Sequence, residues 1–247
     1  MNASDIMWFA PLVFLLAGTI KGAIGIGLPT TIIALLSIIV DPRLAVALGL
    51  FSMIVSNIWQ VHREGDWLKT LRRFWPLSVV TGVVLIGAAQ FAADAPQETI
   101  LMATGVAVAL FSASSLIGSP PALPKRFELP GQIVVGVASG VMGGVAGIWS
   151  PPVLVFLLAL RLEKTEFVRT VGLLLLLGAV PLLIGYVNAG LMSGRTFLYS
   201  IALAIPVFIG FAIGERVRRR MDAARFQKAL LVFFLIMGLN MVRQALV

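Results

Sequence analysis

The sequence predicts an all-α polytopic membrane protein made of two inverted repeats, on three observations. Apolar runs long enough to cross a bilayer recur from end to end, two of them are overlong and broken at matched Gly and Pro positions, and the basic residues segregate to one side only when those two are read as hairpins. Hydrophobic residues make up 59% of the chain and charged residues 12%, with a mean hydropathy of +1.01. Soluble domains are about half apolar and about a quarter charged, so a water-soluble core is excluded. No polar stretch approaches the size of a separate domain, and residues 1–247 are read as one membrane domain.

Taken in order, the hydrophobic segments lie near 6–39, 44–61, 74–92, 98–117, 131–160, 166–187, 196–214 and 226–246. Six of the eight have the length of a simple crossing, for which about 20 apolar residues suffice. The first and fifth run to about 30 residues, roughly 45 Å if continuously helical, and each is interrupted by clustered Gly and then Pro. Gly18, Gly22, Gly25 and Pro29 set a G-x3-G-x2-G-x3-P spacing, and Gly140, Gly144, Gly147 and Pro151 repeat it 122 positions later, close to half the chain. One GxxxG is common in membrane helices; four matched positions at half the chain length indicate a tandem duplication. The repeats are placed at about 6–117 and 131–246, joined by the Pro/Gly-containing stretch from Gly118 to Gly131.

The basic residues test the topology. If all eight segments crossed once, the two sides would hold eight and ten Lys and Arg, which is no bias. If the first and fifth segments enter and return, the count is fifteen, including Arg218, Arg219, Arg220 and Arg225, against Arg43, Arg195 and Arg243. That asymmetry is what retention of Lys and Arg on the cytoplasmic side produces. Each half then consists of a broken re-entrant hairpin plus three transmembrane helices, the halves enter from opposite faces, and both termini are periplasmic in a bacterial inner membrane. Whether segments one and five are re-entrant or cross as pairs of short helices stays open. Inverted repeats with discontinuous helices near mid-bilayer are the architecture of many secondary transporters.

The same charge distribution removes nucleic acid as a partner, because the net charge of +8 resides mainly in the connections between apolar segments. With no Cys, there is no disulfide framework or thiolate metal site, and no metal or cofactor is expected. The N-terminus lacks the basic flank of a secretory signal, so the first segment is expected to be retained. All 11 carboxylates, Asp222 among them, fall at segment ends or in connections, which leaves no buried acid for proton coupling. A GxxxxGK[ST] phosphate loop is absent, and the GAIGIG run lacks the strand and acidic partner of a dinucleotide fold. An enzyme would need positioned acid, base, nucleophile or metal groups, and none cluster here.

Lys21 carries the functional signal. An ionisable residue inside an apolar segment is costly and marks a substrate or ion pathway by default. Here it sits among glycines, in Gly18-Thr19-Ile20-Lys21-Gly22-Ala23-Ile24-Gly25-Ile26-Gly27-Leu28-Pro29, just ahead of a returning half-helix whose amides attract an anion. Lys21, Thr19, Gly22, Gly25 and Gly27 are therefore candidate contacts for a small anion; a shallow, snorkelling Lys21 among packing glycines is the plainer reading. In the second half Gly144, Gly147, Trp149 and Ser150 flank the corresponding break, with Trp149 either walling the pocket or simply packing. Arg169 is either a second anion contact or an inward-side anchor paired with Glu166. Asn57 and Gln60 could bond ligand oxygens or bridge helices, and His62, beside Arg63 in a connection, reads as solvated.

Ala17-Gly18-Thr19-Ile20-Lys21-Gly22-Ala23-Ile24-Gly25-Ile26-Gly27, the Asp41-Pro42-Arg43 connection before Ala47-Leu48-Gly49, and the half-length repeat together resemble the sulfite exporter TauE/SafE family of membrane transporters, over essentially the whole chain. The resemblance implies export or exchange of sulfur-containing anions such as sulfite or organosulfonates across the inner membrane. Where this chain has Trp149-Ser150-Pro151-Pro152, members of the family often carry a more Gly-rich second motif. The partners expected are a small-molecule anion and membrane lipid, with a homo-oligomer left open; the alternative reading is proton- or sodium-coupled uptake of a small organic anion, ahead of a membrane-embedded enzyme or assembly factor.

Overall fold

A computed structural model describes the backbone of residues 3–118, 120–218 and 223–246. Arg219, Arg220 and Asp222, used in the topology count and the carboxylate inventory above, lie outside the described residues. Ten α-helices follow one another among the described residues: α1 (Ala3–Ile24), α2 (Leu28–Leu36), α3 (Pro42–Glu64), α4 (Trp67–Asp94), α5 (Gln97–Ile117), α6 (Glu128–Ala146), α7 (Ser150–Ala159), α8 (Lys164–Asn188), α9 (Gly194–Arg218) and α10 (Ala223–Ala245). By length and composition α3, α4, α5, α8, α9 and α6 with its leading 3-10 turn are able to cross a membrane. Shorter apolar stretches are Trp8–Ala23 in α1, α7, and Leu231–Ala245 in α10. The chain is a multi-pass helical membrane protein.

Both overlong segments break where the glycines stand. Gly25 at φ 90° and Gly27 at φ 98° take the left-handed backbone that ends α1. Pro29 then opens α2, where a missing N–H costs nothing, and Gly27 O accepts from Thr31 N at 2.9 Å and from Thr31 Oγ1 at 2.7 Å. Gly147, at φ 69°, ends α6 in the same way, and Ser150-Pro151-Pro152 starts α7. With 9 and 10 residues, α2 and α7 each rise only about 14 Å, less than half a bilayer. By contrast α6 and its leading turn span 22 residues, Lys125–Ala146, more than half of a re-entrant hairpin requires.

The fourth helix begins seven residues before the apolar run that predicted it. Its backbone leaves helical values at Phe74, φ −110° and ψ 16°, just ahead of Pro76, so a polar opening turn is joined to the apolar shaft through a proline kink. At the start of α3, the Asp41 side chain accepts a hydrogen bond from Arg43 N at 2.8 Å. Removing this cap by Asp41→Ala should cost about 1 kcal/mol, read as a lower melting temperature in detergent; an unchanged melting curve would show that the cap contributes nothing.

Close backbone contacts fix the helix arrangement. A methyl group added to Gly18 or Gly22 of α1 would overlap the carbonyl of Val207 or Phe211 on α9, and one added to Gly210 or Gly214 would overlap the carbonyl of Leu15 or Thr19. The α6 glycines Gly140 and Gly144 lie close against the Val84 and Ala88 side chains of α4, and Gly105 of α5 faces Gly238 of α10. Without a hydrophobic drive between helices in lipid, such close approach supplies the association energy. Outward, α4 exposes Trp75, Val79 and Val83, and α9 exposes Ile201, Ile205, Ile209 and Ile213, apolar faces suited to hydrocarbon. Beneath them Phe14, Phe74, Trp149, Tyr186 and Phe234 fill the core.

Candidate functional site

Lys21 lies on the last turn of α1, one residue before a glycine that packs on α9, and is 2% exposed. Its ammonium reaches α3, where Nζ donates to Ser56 Oγ at 3.0 Å and to Asn57 Oδ1 at 2.5 Å. Ser56 in turn donates to Met53 O at 3.2 Å, which turns the hydroxyl lone pairs toward the lysine. Ser56 and Asn57 are 1% and 2% exposed. No carboxylate pairs with Lys21 among the described residues. The Lys21 side chain is thus held by two neutral dipoles. A buried charge without a counter-charge is expensive.

The second break also packs against α3, ten residues before Ser56. A Cβ on Gly147 would meet Val46 of α3 and Ile33 of α2, so this turn packs onto the helices that follow Lys21. Trp149 is 1% exposed and its indole covers Gly178 of α8, with its own Cβ against Gly143. Among the described residues the indole Nε1 has no hydrogen-bond partner, and neither does Ser52 Oγ, one turn before Ser56 on α3. Buried donors of this kind are normally satisfied. Ser150, at the start of α7, is buried as well.

The remaining sequence candidates occupy other contacts. Thr19 donates its hydroxyl to Leu15 O at 2.8 Å and offers its backbone to Gly210 and Gly214 of α9. Gly22 sits on α9 and Gly144 on α4. Gly25 has open space around the position of a Cβ, whereas at Gly27 it would meet the Ile20 side chain at 3.2 Å. Arg169 bonds Thr70 Oγ1 at 3.0 Å and lies 3.7 Å from Asp66. Its expected partner Glu166 is taken instead by Arg73, at 3.0 Å, because the first turn of α8 faces α4 across the bundle. Gln60 bridges helices, donating to Val168 O of α8 at 3.0 Å, and His62 is exposed. Sequence reasoning missed Ser56, although a Ser-Asn pair within an apolar helix was available as a signal.

A family model for the sulfite exporter TauE/SafE family matches residues 10–241. The chain belongs to the TauE/SafE family. The search of curated proteins found no match, and neither did the search of solved structures. As a TauE/SafE member the chain is a membrane transporter, and the matched range contains both helix breaks, Lys21, its α3 partners and Trp149. The residues from Ala17 to Gly27 serve two structural ends at once: Gly18 and Gly22 bring α1 onto α9, and Gly25 and Gly27 turn the chain beside the lysine.

Proposed function

We propose that this chain exports small sulfur-containing anions, such as sulfite or organosulfonates, across the bacterial inner membrane by alternating access between two inverted repeats, with both termini periplasmic. The observation that carries the reading is the buried Lys21 side chain, held toward Ser56 and Asn57 at the end of a broken helix with no carboxylate paired to it among the described residues. Family membership supports the sulfur-containing substrate. An anion leaving an electrically negative cytoplasm gains about 2.3 kcal/mol per charge per 100 mV, which is enough to drive export without a coupled cation.

Helix packing supports the repeat. Gly18 lies on Val207 and Gly140 on Val84; Gly22 lies on Phe211 and Gly144 on Ala88. The glycines are related by the 122-position repeat of the sequence, and their partners by a shift one residue longer. Exchanging the first five helices for the last five likewise turns the α1–α9 contact into α6–α4 and the α3–α9 contact into α8–α4, while α3–α8 and α5–α10 map onto themselves. A pseudo-two-fold axis between α3 and α8 would produce this pattern, which supports the inverted-repeat reading.

Purified protein in detergent should melt at a higher temperature with sulfite or a small sulfonate than with an equal concentration of chloride, by the equivalent of about 2.7 kcal/mol at a hundredfold excess over Kd. The same anions should leave loaded proteoliposomes faster than protein-free vesicles. No shift and no efflux for sulfite, thiosulfate, sulfate and small sulfonates would refute the proposal, and a flux that follows an imposed proton or sodium gradient at constant voltage would replace export with coupled uptake.

A further inference from the structure

We propose that the parts which move during transport are not the two sequence halves but two helix-exchanged bodies, α1–α3 with α9 and α4 with α6–α8, and that Gln60 and Arg43 make the contacts that part at either end. The proposal rests on the alternating-access reading and specifies its moving units.

Two kinds of contact define the bodies. The first is backbone-to-backbone packing. The α1 and α9 carbonyls stand where a methyl on the opposing glycine would be, so any relative displacement of these helices produces either a clash or a void. In the other body the α6 glycines make a close junction with α4, Gly140 against the Val84 side chain and Gly144 against Ala88 Cβ and the Leu85 carbonyl. Both interfaces join opposite sequence halves, so two halves rocking as units would have to tear both.

The second is the distribution of polar contacts. The Arg63 guanidinium pairs with Glu215, from α3 to α9. Arg73 pairs with Glu128 at 2.6 Å and Glu166 at 3.0 Å, from α4 to α6 and α8. Gln132 of α6 receives Leu77 N at 3.4 Å and donates to Arg73 O at 3.2 Å, both on α4. Gln90 of α4 donates to Gly185 O of α8 at 3.1 Å. Phe51 of α3 stacks edge-on with Phe197 of α9 at 6.1 Å, and its N–H donates to Ser200 Oγ at 3.1 Å. Every one of these crosses the sequence halves, and every one stays within a single proposed body.

Very little polar contact joins one body to the other. Among the described residues, the side-chain hydrogen bonds from α1–α3 or α9 to α4 or α6–α8 are those of Gln60 to Val168 O, near the basic end of α3, and of Arg43 to Ala93 O and Ala95 O, at its other end. Between them the bodies meet along α3 and α8, where the Gln60 side chain rests on Gly172. Lys21, Ser56 and Asn57 belong to one body and Trp149 with Gly178 to the other, so a solute at Lys21 sits beside the seam. Two weak closures at opposite ends of one seam are what alternate opening requires.

The chain has no native cysteine, so paired replacements can be cross-linked without background by a short bifunctional thiol reagent. Efflux of radiolabelled sulfite from proteoliposomes is compared before and after cross-linking of each preparation, which makes every variant its own folding control. Arg63→Cys with Glu215→Cys, and Arg73→Cys with Glu128→Cys, should keep efflux within about twofold on cross-linking, whereas Gln60→Cys with Val168→Cys should lose about tenfold or more. A loss in all three pairs would overturn the exchanged bodies and leave alternating access standing. Undiminished efflux in the cross-linked 60/168 pair would overturn both.

Discussion

Lys21→Met should lower sulfite efflux by about tenfold or more while leaving the melting temperature of the protein in detergent at or above that of the wild type. Removing one member of a buried, hydrogen-bonded charge pair costs about 2–5 kcal/mol of binding, and tenfold corresponds to only about 1.4 kcal/mol. Among the described residues Lys21 has no carboxylate partner to lose, and its side chain bonds Ser56 at 3.0 Å and Asn57 at 2.5 Å. Methionine fills similar volume without a charge to bury. Loss of transport with retained stability therefore separates a ligand contact from a structural lysine. Equal efflux in the two proteins would remove Lys21 from the mechanism; a large fall in melting temperature would make its bonds to α3 structural. Lys21→Arg should also fail to restore efflux, because a planar fork does not replace a compact ammonium between two single acceptors.

Gly210→Ala, like Gly214→Ala on the same helix, should be severely destabilising. The added carbon would overlap the Leu15 carbonyl and approach Thr19 N at 2.8 Å, and backbone cannot swing aside as a side chain can. Overpacking of this kind costs about 1–3 kcal/mol, and here it forces apart the helix that carries Lys21 and its main packing partner. Gly144→Ala should act likewise between α6 and α4. Gly87→Ala provides the contrast, since nothing lies within 4 Å of its Cβ position and helix propensity then favours alanine by up to about 1 kcal/mol. Thermal melting of the three variants in one detergent orders them. If Gly87→Ala falls as far as Gly210→Ala, close approach is not what the glycines provide.

Much of the architecture was legible because bilayer physics writes itself into local sequence: length, hydropathy and Gly/Pro breaks predict spans and interruptions without knowledge of neighbours. Lys21 was legible for the same reason, as an isolated charge in an apolar run. Its acceptors were only half legible, since Asn57 stood out and Ser56 did not, and no local rule says which face of α3 meets α1. Glycines posed a different difficulty. Gly22 and Gly25 look alike in the sequence, yet one admits a neighbouring helix and the other has open space beside a reversed backbone. Arg169 illustrates the limit of spacing arguments: Glu166 is its neighbour along the helix, but Arg73 on α4 competes for that carboxylate, leaving Arg169 with Thr70 and Asp66.

The pairing of α1 with α9 also bears on how the chain is made. Gly18 finds its partner at Val207, about 190 residues further along, which at ribosomal speeds of about 5–20 residues per second means a wait of roughly 10–40 seconds. Until the ninth helix is synthesised, the first one stands beside lipid or the insertion machinery with its glycine face bare. A chain truncated before α9 would leave that face without its partner for good, an unassembled helix for membrane quality control to remove.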